Sequence, residues 1–308
     1  MRRSKRLERL NENHIYFYLL CACIPTKDKR FIIMAKKKSE EMSFLDHLEE
    51  LRWRLIRSVL AILIGAIVAF IFKNIIFDYV ILAPKNASFW TNRMFCELSQ
   101  YVNTPGLCIN QVPLEIISMN MAGQFNMHIW VSIIAGLVIA FPYVFYEFWS
   151  FIAPALHSKE RKYANGAVFF SSFLFLVGVV FGYFMIVPLT VNFLGSYNVS
   201  TEVKNTINLT SYISTITSVI LASGAIFELP IVVYFLTKIG LITPEFMKKY
   251  RRHSIVVIFI LAAIITPPDI FSQTLVAIPL LLLYEVSILI SRQVVRQRKR
   301  KDAEANNS

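Results

Sequence analysis

Six apolar segments, 55–77, 125–145, 164–187, 212–236, 254–266 and 271–290, follow one another along the 308 residues. A helical run of about 20 apolar residues matches the roughly 30 Å hydrocarbon core of a bilayer. In that medium every backbone N–H and C=O must be satisfied internally, which a helix does and an open sheet does not. The pattern predicts an all-α integral membrane protein with six transmembrane helices, and a hydrophobic share of 56% fits that class better than a soluble domain. The fifth segment has only thirteen residues, and Thr266-Pro267-Pro268-Asp269 turns the chain directly into the sixth. The last two helices are therefore expected to be short.

The net charge of +12 invites a nucleic-acid reading, but the cations fall between the apolar segments and at the chain ends instead of forming one basic face. Topology explains them better, and no nucleic-acid partner is expected. Twenty Lys and Arg lie in the segments on one side of the bilayer, against Lys85, Arg93 and Lys204 on the other, with Lys73 near the end of its span able to snorkel to that same side. The positive-inside rule then places both termini in the cytoplasm, in the inner membrane if the cell is a bacterium.

Residues 1–42 form a basic extension whose apolar run, 15–24, is too short to span. They are expected to be disordered or to precede the natural start, near Met34-Ala35-Lys36. Residues 43–292 form the membrane domain, and 293–308 a basic, polar cytoplasmic tail. Within the membrane domain, Ser43 and Asp46 suit a helix start, and Leu45, Leu48, Leu51 and Leu55 recur at near-helical spacing. Glu50 stands four residues before Arg54, the order that supports a helix.

The link 148–162 should sit at a membrane surface. Phe148, Trp149 and Phe151 suit the headgroup level, Pro154 interrupts the helix, and Glu160 stands among Lys159, Arg161 and Lys162. The opposite, outer loop, 78–124, carries Pro84, Cys96 and Cys108 and is expected to hold a short helix at 112–121. Its two cysteines face an oxidising compartment and form either two free thiols or a disulfide contributing about 3 kcal/mol.

Acids inside the spans are costly. Glu228 precedes Leu229-Pro230, where the proline removes a helix hydrogen bond and opens a polar spot. Glu285 lies about two turns before Arg292, which can neutralise it. Gln273 can hydrogen-bond a neighbouring helix or a partner. The five histidines are scattered and the cysteines lack metal-binding spacing, so no metal or cofactor is expected. No HExxH, GxSxG or GxxxxGK[ST] is present, so no enzymatic activity is expected.

Four stretches carry a family resemblance: Phe44-Leu45-Asp46-His47-Leu48-Glu49-Glu50-Leu51-Arg52, Phe151-Ile152-Ala153-Pro154-Ala155-Leu156, Phe227-Glu228-Leu229-Pro230, and Thr266-Pro267-Pro268-Asp269-Ile270-Phe271-Ser272-Gln273. In this order they resemble TatC, the multi-spanning receptor subunit of the twin-arginine protein translocase, from about Ser43 to Arg292. The resemblance implies a cupped six-helix bundle that recognises paired-arginine signal peptides and exports folded proteins using the proton-motive force. It implies signal-binding roles for Glu50 and Glu160, with Arg52, Phe151 and Pro84 also at positions that matter. It also implies that Glu228, Asp269 and Gln273 are polar positions for contact with the signal or with the small single-span subunits TatA and TatB, in a homo- or hetero-oligomer. Extension 1–42 lies outside that pattern, and the first outer loop, with its two cysteines, is long for it. The competing expectation is a proton-coupled solute transporter using Glu228 and Glu285, although the chain shows no repeated halves.

Overall fold

The computed structural model describes residues 44–103, 108–109, 114–152, 164–200, 202, 205–266 and 270–306. The extension 1–42, Pro154, Glu160 and Asp269 lie outside the described residues. Two compact units divide at Glu50 and Leu51; residues 44–50 of the first begin helix α1, and the second holds the remaining elements.

Helix α1 (Phe44–Ile71) is followed by a π-helical turn (Ile75–Ile81), a 3-10 turn (Ala83–Lys85) and α2 (Trp90–Val102). Strand β1 (Ile116–Ile117) precedes α3 (Gly123–Ile152). Then α4 (Ala164–Phe181) passes through a π-helical segment (Gly182–Ile186) into α5 (Val187–Ser196). Strand β2 (Ile207–Asn208) leads into α6 (Leu209–Phe227), α7 (Leu229–Lys238), α8 (Pro244–Lys249), α9 (Arg251–Ile265) and α10 (Ile270–Asn306).

Among the described residues, five segments are helical, long and apolar enough to cross a membrane: Leu48–Ile71, Gly123–Phe151, Val168–Ser196, Leu209–Lys238 and Ser272–Arg300. They expose large apolar side chains such as Leu63, Ile64 and Ile67 on α1 and Phe169, Phe170 and Phe173 on α4, as suits a lipid-facing surface. Helix α9 has 15 residues, about 22 Å at the helical rise, below the usual spanning length.

The expectation that both final helices are short holds for α9 alone, because α10 runs for 37 residues. The apolar stretch ends near Ile290, but 291–306 contain neither Gly nor Pro and are rich in Arg, Lys, Gln, Ala and Glu, so nothing stops the backbone from staying helical. The all-α expectation is amended by β1 and β2, two-residue strands that pair in parallel, Ile116 opposite Ile207. The short helix expected at 112–121 is not found: Ile116 and Ile117 are β-branched and form the strand, and the helix of that loop is α2.

Small residues let the helices approach. A Cβ added at Gly136 of α3 would lie 2.5 Å from the Ala66 backbone nitrogen and 2.6 Å from the Ile62 carbonyl oxygen of α1. Gly178 of α4 meets the Phe227 side chain and the Ser223 carbonyl of α6 in the same way. Where lipid offers no hydrophobic incentive for association, such close backbone contacts and interhelical hydrogen bonds hold the bundle. Trp130 of α3 donates to Thr217 Oγ1 of α6 at 3.2 Å, and Thr237 of α7 to Ser291 Oγ of α10 at 2.9 Å. The main core joins Ile186 and Val187 to Ile213 and Ile216 of α6, Ala262 of α9 and Val276 of α10.

The turns after α1 are stitched to this core at one end of the bundle. Tyr183 donates to the Val80 carbonyl at 2.9 Å and Tyr212 to the Ile81 carbonyl at 3.0 Å. Thr91 donates to the Phe184 carbonyl at 2.5 Å. Buried Asn92 donates through Nδ2 to the Pro84 and Asn86 carbonyls, at 3.0 and 2.8 Å, so buried Pro84 sits in a turn closed from the start of α2. A disulfide joins Cys96 to Cys108, and neighbouring Phe95 and Ile109 pack on Leu189. Removing the Asn92 amide deletes both turn bonds, so Asn92→Leu is expected to cost about 1–3 kcal/mol, read as a lower thermal midpoint of the purified protein with helix content retained.

Candidate functional site

The candidate site residues fall in separate places. Glu50 and Arg52 lie near the beginning of α1, with Arg52 exposed, and Phe151 lies at the end of α3. Glu160, the carboxylate expected on the link after α3, is outside the described residues.

Glu228 stands at the break between α6 and α7, closing one helix and preceding the other. Pro230 has no N–H to continue the ladder, and the chain turns there: the Glu228 amide donates back to Ala225, while Ile231 and Val232 donate to the Glu228 carbonyl. One carboxylate oxygen accepts from Ser171 Oγ of α4 at 2.5 Å, and the other is buried with no hydrogen-bond partner in the described structure. Pro230 is fully buried. The arrangement holds one half-satisfied carboxylate among apolar helices.

Gln273, in the first turn of α10, donates through Nε2 to the Phe259 carbonyl of α9 at 3.1 Å, tying the short helix to its neighbour. Glu285 pairs with Arg251 at the start of α9, instead of with Arg292 on its own helix. The sequence distance to Arg292 is short, but helix contact with α9 brings the Arg251 guanidinium closer to the carboxylate. Glu228 and Glu285 thus have different partners, Ser171 and Arg251.

Hydropathy and motif spacing do not single out Glu147. It is buried on α3, accepts from Tyr143 Oη at 2.9 Å and from Arg54 Nη1 of α1 at 3.3 Å, and lies 4.0 Å from Arg57 Nη1. The second apolar run ends at residue 145, which puts Glu147 on the loop side of the boundary. The i,i+4 spacing of Tyr143 and Glu147, and the Arg54, Arg57 pair one turn apart, are the signals that could have found it. Among the described residues, no group of three or more His, Cys, Asp or Glu side chains is placed to hold a metal ion.

Residues 46–279 match the family described as Sec-independent protein translocase protein (TatC). The Sec-independent protein translocase protein TatC of Blattabacterium sp. subsp. Periplaneta americana (strain BPLAN) is 43% identical over 265 residues, covering 85% of this chain and all of that protein. The corresponding protein of Helicobacter pylori (strain ATCC 700392 / 26695) is 39% identical over 248 residues, 80% of this chain and 87% of the relative. A crystal structure of the twin arginine translocase receptor TatC in DDM aligns with a TM-score of 0.61 at 36% identity, covering 80% of this chain and 99% of that one. A second crystal structure of that receptor aligns with a TM-score of 0.57 at 34% identity, over 81% and 99%. This chain belongs to the TatC family and is a multi-pass membrane subunit of the Sec-independent, twin-arginine protein translocase.

Proposed function

We propose that this subunit is the signal-peptide receptor of its translocase, binding the paired arginines of folded cargo at the cytoplasmic face of the inner membrane. The match to TatC over 46–279 carries the reading. The charge distribution supports the orientation: with twenty Lys and Arg on one side against Lys73, Lys85, Arg93 and Lys204 on the other, both termini and the link 153–163 are cytoplasmic. In this reading α9 is the fifth of six spans, its short length accommodated by local thinning of the bilayer or by shielding from its neighbours.

Glu50 and Glu160 take the guanidinium groups of the signal. A carboxylate accepts two parallel N–H bonds from arginine, a fork that lysine cannot supply. Arg52 and Phe151 flank these positions in sequence, and Glu228, Gln273 and Asp269 offer polar contacts to the signal or to single-span subunits of the TatA and TatB kind. Transport runs on the proton-motive force, and the chain itself performs no covalent chemistry. Membership of a translocase family favours this over the transporter alternative, as do the separate partners of Glu228 and Glu285.

A reporter carrying a paired-arginine signal tests the proposal in cells whose only TatC gene encodes this chain. Export is expected for Arg-Arg and strongly reduced for Lys-Lys. Equal export of both signals, or export that persists without the gene, contradicts the assignment.

A further inference from the structure

At the end of the bundle where α1 finishes and α3 and α6 begin, a cavity of about 520 Å³ opens among elements far apart in sequence. Lys73 and Asn74 enter it from just beyond α1, Lys85 from the 3-10 turn, Ser118 from beside β1, and Gln124 and His128 from the first turns of α3. Phe77 and Phe125 supply apolar wall.

The two lysines of this cavity have no ion-pair partner among the described residues. Asp78 also lines it, yet neither lysine has a carboxylate oxygen of any described residue within ion-pairing distance, Asp78 included. Two ammonium groups, two amides and a hydroxyl around one concavity form a donor set for a multiply accepting anion. His128 is held in place: its ring stacks on Phe70 with centroids 3.9 Å apart, meets the edge of Phe77, and its Nε2 lies 3.2 Å from the Phe70 carbonyl oxygen. Phe77 and Asp78 belong to the π-helical turn, a rare conformation that recurs at functional sites.

Height within the membrane narrows the anion. The cavity lies at the ends of three spans, where headgroups sit, and Ile71 at the end of α1, with Phe72 and Ile75 just beyond it, exposes apolar side chains beside the cavity. We propose that this cavity binds a phosphate-bearing anion, supplied either by an anionic phospholipid whose chains lie along α1 or by free phosphate. Basic pockets between transmembrane helices recognise lipid headgroups through the same chemistry.

The full chain, purified in mild detergent, and its Lys73→Gln/Lys85→Gln variant provide the test. Native mass spectrometry measures retention of phosphatidylglycerol against phosphatidylcholine, and thermal unfolding measures stabilisation by inorganic phosphate against chloride at equal ionic strength. Loss of two surface-level lysines is expected to weaken the anion's binding about thirtyfold, while Arg93→Gln, an exposed cation of α2 outside the cavity, changes nothing. Lysine-dependent retention of phosphatidylglycerol identifies the lipid as the source; lysine-dependent stabilisation by phosphate without lipid preference identifies the free ion. If both readouts are the same in the double variant and the unsubstituted chain, the proposal is overturned. Should the double variant fail to fold, Lys73→Gln and Lys85→Gln are read singly, each expected to show a partial loss; no loss in either overturns it.

Discussion

Glu160→Ala and Glu50→Ala are each expected to abolish cross-linking of a paired-arginine signal peptide while leaving the amount of membrane-inserted protein unchanged. Truncating one partner of a hydrogen-bonded charge pair costs about 2–5 kcal/mol, a loss of roughly thirtyfold to several thousandfold in affinity. The effect should be steep because the guanidinium loses a bidentate acceptor and the peptide must still leave water to bind. Glu→Gln at either position keeps the shape and removes the charge, so it should fall close to the alanine variant. The measurement is photo-cross-linking of a labelled signal peptide to inserted protein, normalised to receptor content. Normal cross-linking in both alanine variants would remove the carboxylates from the account.

The second large effect concerns stability. Glu147 is buried with Arg54 as its ion-pair partner and Tyr143 as donor, and it fastens α1 to α3 where Arg57 also approaches. Glu147→Ala removes the acceptor that Tyr143 and the Arg54 guanidinium share on α3. Breaking a buried pair from one side typically costs about 3–5 kcal/mol. A marked drop in the thermal midpoint of the detergent-purified protein is expected. The double variant Arg54→Leu/Glu147→Leu should be less destabilised than the sum of the two single changes, because each single change already removes the Arg54–Glu147 contact. Strict additivity would mean that the 3.3 Å contact contributes nothing to holding α1 on α3.

How far the fold is readable from sequence depends on what each feature needs. The apolar runs announce the helices because bilayer thickness imposes a length that sequence displays directly. Helix ends are less legible. Segment 125–145 becomes Gly123–Ile152 and 271–290 becomes Ile270–Asn306, since hydropathy falls at the membrane surface while the backbone ladder continues through it. Pro142 and Pro279 lie inside α3 and α10 without ending them. The break after Phe227 is legible because Glu228, Leu229 and Pro230 are neighbours in sequence.

Pairings between distant residues cannot be read in this way. Ser171 and Glu228 are 57 positions apart, and Arg54 and Glu147 are 93 apart. Such contacts depend on which helix faces meet, and glycine positions such as 136 and 178 decide that through backbone approach. Asn92 looks like an ordinary polar loop residue in sequence, but it is completely buried, closing the Pro84 turn. Charge counting yields an expected orientation without any knowledge of contacts, because it depends only on which connections carry Lys and Arg.

The receptor account requires the carboxylate of the first inner link to face the cytoplasm. Ser158→Cys, introduced with Cys21 and Cys23 replaced by serine, places a thiol two residues from Glu160. Treated with a membrane-impermeant maleimide, this thiol should remain unlabelled in intact cells and react in inverted membrane vesicles. Labelling in intact cells and protection in inverted vesicles would put the binding face on the wrong side of the membrane and contradict the account.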